Sequence, residues 1–78
     1  MVRVKVKVAT AGTEIDLKVY NLTGEFLREV KYTAPAAGWN EFDWDVKNSA
    51  GRIVGQGIYF MNIKSEGSSA IRKVYVFK

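Results

Sequence analysis

The chain has no cysteine, no histidine and only one proline in 78 residues. Without cysteine no disulfide can brace so short a chain, and without either residue a structural zinc site loses its usual ligands. Hydrolytic arrangements in which histidine activates a serine or cysteine are excluded on the same ground. No apolar run approaches the ~20 residues of a membrane-spanning helix. Nor does an apolar signal-peptide core follow Met1, which leads straight into VRVKVKV. The chain therefore reads as a domain excised from a longer protein, any export signal having lain upstream. A helical period of apolar residues is also absent; every regular stretch alternates with period two.

What is present is one domain's worth of core. Apolar residues make up 47% of the chain, and a domain of this size buries only ~60% of its unfolded surface. Strand pairing and aromatic packing must supply the stability. The formal charge is +4, from 12 Lys and Arg against 8 Asp and Glu. The basic residues Arg3, Lys5, Lys7, Lys31, Arg72 and Lys73 fall mostly at alternate positions. That spacing describes solvated strand faces and not the gathered stripe of a nucleic-acid binder.

Val2, Val4, Val6 and Val8 alternate with Arg3, Lys5 and Lys7, predicting a strand with one buried and one wet face. A second strand runs from Glu14 to Tyr20, with Ile15, Leu17 and Val19 inward. Asn21-Leu22-Thr23-Gly24 turns the chain; its glycosylation sequon matters only in a eukaryotic secretory pathway. The third strand, Phe26 to Thr33, puts Phe26, Val30 and Tyr32 on one face and needs a bulge to accommodate Leu27. A loop around Pro35 precedes the fourth strand, Trp39 to Asp45, in which Phe42 and Trp44 are expected in the core. A polar loop and a short apolar return, Ile53-Val54, follow. Ile58 to Lys64 is apolar on both faces, SEGSS turns the chain, and Ala70 to Lys78 closes it. About seven short strands at this spacing predict a single all-β sandwich of antiparallel strands over residues 1–78.

Leu17-Lys18-Val19-Tyr20-Asn21-Leu22-Thr23-Gly24 resembles the VYDLxG segment of the immunoglobulin-like domain in the flagellar hook-capping protein family, FlgD. Phe42-Asp43-Trp44-Asp45 followed by Asn48, Gly51, Gly57 and Tyr59 resembles that family's WDGxDxxGxxxxxGxY pattern. Arg72-Lys73-Val74-Tyr75-Val76 is similar to the ending of the related C-terminal sorting domains of type IX secretion cargo. The match covers about residues 14 to 78 and departs at Val46, where the hook-cap pattern usually has glycine. The resemblance implies an immunoglobulin-like β-sandwich from the C-terminal end of a larger exported bacterial protein, located outside the cell or in its envelope. It implies a non-catalytic spacer or assembly module. The alternatives are a sorting signal read by a type IX machine and a carbohydrate-binding module.

The residues of the pattern have structural roles to fill. Trp44 is the largest core side chain, and its indole N–H needs an acceptor. Asp45 is expected to cap the start of the loop, Asn48 its middle and Gly51 its bend. Gly57 is expected to let the backbone pack closely, and Tyr59 to send its hydroxyl to a loop carbonyl. Glu41, Asp43 and Asp45 recur at alternate positions, but a glycosidase cleft is beyond so small a chain. Asp43, Asp45 and Asn48 are oxygen ligands calcium accepts, though loop capping is the favoured reading and no metal or cofactor is expected. Trp39, facing outward, could stack on a sugar ring. Ile58, Phe60, Tyr75 and Phe77 form a second apolar stripe. Either the N-terminal strand or a loop covers part of it, or it is a docking patch for a neighbouring domain, a secretion or assembly component, or weak contact with a second copy.

Overall fold

The computed structural model describes residues 2–77, which form six strands and no helix. They are β1 (Val2–Val8), β2 (Glu14–Asn21), β3 (Phe26–Thr33), β4 (Gly38–Trp44), β5 (Gly57–Ser65) and β6 (Ser68–Val76). Two antiparallel sheets result, a pair β1-β4 and a four-stranded sheet in the order β3-β2-β5-β6. About seven strands were expected. The Ile53-Val54 return contributes only an isolated bridge, Lys47 to Ile53, because the loop around it is a tight turn with no room for a ladder.

The alternation in the sequence decides which side of each strand is dry. Ile15, Leu17 and Val19 on β2 are fully buried and meet Met61 and Tyr59 of β5 beneath the smaller sheet. From β1 come Val4 and Val8, and from β4 come Phe42 and Trp44, all buried. The Tyr32 and Phe42 rings stack at 4.7 Å, joining β3 to β4 across the core. Asn40, a buried polar residue of the core, donates from Nδ2 to the Ala36 and Gly38 carbonyls at 2.9 and 3.3 Å, so its burial leaves its amide donors paired.

The bulge in β3 is present, between the pairs Val19–Arg28 and Tyr20–Phe26. Its content differs from expectation. Leu27 is the extra residue and packs against the core, whereas Phe26 lies on the outer face, half exposed, with its ring edge-on to Tyr20 at 5.8 Å. Both residues are apolar, so parity alone could not say which one the bulge turns inward.

Candidate interaction surfaces

The polar loop after β4 is built on Trp44. Its ring is wholly buried and its indole Nε1–H donates to the Lys47 carbonyl at 3.0 Å. Asp45 Oδ1 accepts from the Lys47 amide at 3.2 Å and from the Arg28 guanidinium at 3.2 Å. Asn48 Oδ1 accepts from the amides of Ala50 and Arg52, both at 3.0 Å, and Gly51 makes the bend at φ +80°. The loop is then tied to the bulge: both the amide and the hydroxyl of Ser49 donate to the Leu27 carbonyl, at 2.9 and 2.8 Å. That carbonyl is an acceptor the bulge frees from the ladder. The loop thus clamps the end of the small sheet onto β3.

Two backbone positions of the loop stand out. Val46 has φ +53°, in the left-handed region where a β-branched residue is an outlier. Gly57 was expected to allow close packing, but nothing lies within 4 Å of where its Cβ would be. Its φ of +155° is the reason glycine suits it. Tyr59 is buried, donates its hydroxyl to the Gly55 carbonyl at 2.6 Å, and sets its ring edge-on to Trp44 at 6.0 Å.

The acidic residues do not converge on a ligand. Asp43 lies outside the small sheet, 3.6 Å from Arg3, and Glu41 sits between Arg3 and Lys5 at 3.8 and 3.6 Å. Asp45 and Asn48 are occupied by the loop's own donors. Among the described residues no group of three or more acidic residues is placed to hold a metal. Trp39, 70% exposed, stands opposite Lys7 on the outer face of the small sheet, with no second aromatic ring against it among the described residues.

The larger apolar surface lies at one end of the outer face of the four-stranded sheet, whose other end carries Asp16, Lys18, Lys31, Asn62 and Lys64. Ile58 pairs with Tyr75, and Phe77 stacks on Tyr75 at 6.3 Å. Phe60 pairs with Tyr20, and Tyr20 with Phe26, so an aromatic row runs across three strands. Tyr75 and Phe77 are 55% and 79% exposed. Among the described residues neither β1 nor a loop covers this face; β1 packs on the opposite side. Ile58, Phe60, Tyr75 and Phe77 are therefore one surface, and Tyr20 and Phe26 extend it. The signal for Tyr20 was its parity with Asp16 and Lys18; the pairing that places Phe26 beside it needed the bulge.

A family model described as the FlgD Ig-like domain matches residues 1–69. No curated protein matches the chain. Among solved structures, that of FlgD from P. aeruginosa superposes with a TM-score of 0.72 over 95% of this chain, at 22% sequence identity. The chain spans 58% of the length of that structure, a little over half. No described helix is long and apolar enough to cross a membrane.

Proposed function

The chain belongs to the FlgD Ig-like domain family, and from that premise we propose that it is a non-catalytic assembly module of a larger, exported bacterial protein. Its outer aromatic face is the contact surface for a neighbouring domain or assembly component. One observation carries the reading: the row Phe26, Tyr20 and Phe60, with Ile58, Tyr75 and Phe77 beside it, is apolar, contiguous and uncovered. A sheet face left solvated on one side normally carries polar residues, and exposed aromatic clusters of this kind mark interfaces. The polar loop, by contrast, spends its donors and acceptors internally. A spacer role fits the same geometry, since the sandwich is braced from within and holds its faces at fixed orientation.

The test is a triple variant, Phe60→Ser, Tyr75→Ser, Phe77→Ser, made both in this chain and in the full-length parent. The reading expects the chain alone to keep its unfolding free energy within about 1.5 kcal/mol, these side chains being partly or largely exposed. In the parent, the variant should uncouple this domain's unfolding from that of its neighbour, or abolish assembly. A parent that unfolds and assembles as wild type refutes the contact role.

A further inference from the structure

The small sheet has two strands and the large sheet four, so part of the large sheet's inner face lies open. The opening falls along β1, whose second edge has no strand partner among the described residues. Beside that edge runs a groove of about 390 Å³ between β1 and the inner side of β5 and β6. Val6, Met61, Ile63, Ala70 and Val74 line it. The inner-facing residues of β6 show the gap directly: Val76 is buried, but Ala70 and Val74 are only partly covered and Arg72 is exposed.

The rim of the groove is basic. Arg3, Lys5 and Lys7 border it from β1 and Arg72 from β6. On its paired side β1 already shows what these residues accept across a ladder: Asp43 stands opposite Arg3 and Glu41 opposite Lys5, both in ion-pair contact. Lys7 faces Trp39 instead and has no ion-pair partner among the described residues, and neither has Arg72. Just past the end of β1, the Ala9 amide is taken by a carboxylate, Glu66 Oε1 at 2.7 Å, which reaches over from the β5–β6 turn. A second copy of β1 would set lysine against lysine at this edge, a like-charge pairing that disfavours self-association.

We propose that this edge takes an extended acidic segment of a partner polypeptide as a third strand of the small sheet. Alternating side chains of the segment would go down into the groove and up against the basic face of β1: apolar ones onto Met61, Ile63 and Val74, acidic ones onto Lys7 and beside Lys5 and Arg3. Backbone pairing supplies the binding and the alternation supplies the selectivity. This surface lies on the opposite side of the large sheet from the aromatic face, so the two contacts are independent.

The test uses the 78-residue chain with a seven-residue peptide alternating valine and glutamate, and a control alternating valine and lysine. Backbone amide shifts and hydrogen exchange are followed on titration. The acidic peptide should protect alternate amides of β1 and shift Val74 and Met61, with affinity falling as salt is raised. The variant Lys7→Glu, at an exposed position that leaves the core intact, should weaken it about fivefold and admit the basic peptide. The proposal is overturned if the acidic peptide leaves β1 unprotected at millimolar concentration, if both peptides bind alike, or if the protein dimerises through β1 by itself.

Discussion

Val46 offers a direct test of the loop geometry. Its φ of +53° places a Cβ where the following carbonyl crowds it, a conformation that costs an L-residue roughly 1–2 kcal/mol. The comparison to make is Val46→Ala against Val46→Gly. Both remove the valine methyls, which lie half-buried against the core, so that loss cancels between them. At an ordinary site alanine is the more stable of the two by about 0.4–1 kcal/mol, because glycine loosens the unfolded chain. Here the strain is opposite in sign and on average larger, and the difference leaves Val46→Gly ahead by roughly 0.8 kcal/mol, within about 0–1.6 kcal/mol. For a domain of this size that is a gap in Tm of roughly 2–8 °C. Urea denaturation followed by far-UV circular dichroism reads it as a shift in midpoint with an unchanged slope. If Val46→Ala equals or exceeds Val46→Gly, position 46 is not held in the left-handed region, and the hydrogen bond from the Val54 amide to the Val46 carbonyl, 2.8 Å long, cannot be placed as described.

Two further outcomes follow from the core. Tyr59→Phe removes the 2.6 Å bond to the Gly55 carbonyl without opening a cavity; it should lower stability by about 1 kcal/mol and Tm by roughly 4–8 °C in thermal melts. The two tryptophans should be separable by fluorescence quenching, since Trp44 is fully buried and Trp39 is 70% exposed. Trp39→Phe should leave blue-shifted emission protected from acrylamide. Trp44→Phe should leave red-shifted, quenchable emission and cost about 2–3 kcal/mol through the lost indole bond and the space left behind. Equal quenching of both folded variants would contradict the burial of Trp44.

Much of the fold is legible in the alternation. Val2 to Val8, Ile15 to Val19 and Phe42 to Trp44 each turn inward the residues that period two selects, because a half-buried strand leaves no other choice, though on β1 only Val4 and Val8 are fully covered. The loop was legible for a different reason: Asp45, Asn48 and Gly51 are residues whose short side chains or missing Cβ act on the nearest backbone, so their partners are local. Long-range placement was not legible. Nothing in the spacing says that Leu27 and not Phe26 turns inward, since the deciding contact, Ser49 to the Leu27 carbonyl, comes from a distant loop. Likewise Arg28 reads as an ordinary charged strand residue until the fold sets it beside Asp45. Four of the six residues of the aromatic face, Ile58, Phe60, Tyr75 and Phe77, could be read from parity, but joining them to Tyr20 required the β2–β5 register. The groove beside β1 could not be read at all, because strand order is a property of the sheet and not of any one strand.

The pairing of Val2 with Trp44 also governs the order in which the protein can be made. The ladders β2–β3 and β5–β6 join neighbours in the chain and can close as soon as each pair has been synthesised. The β1–β4 ladder instead unites β1 with a strand made only after β2 and β3 have followed it. Until then a valine-rich segment waits without its mate, and long-range closures of this sort are slow. The lysines and arginine spaced along it keep nascent copies apart during that interval. On this reading, neutralising Arg3, Lys5 and Lys7 would damage yield at synthesis well before it damaged the finished molecule.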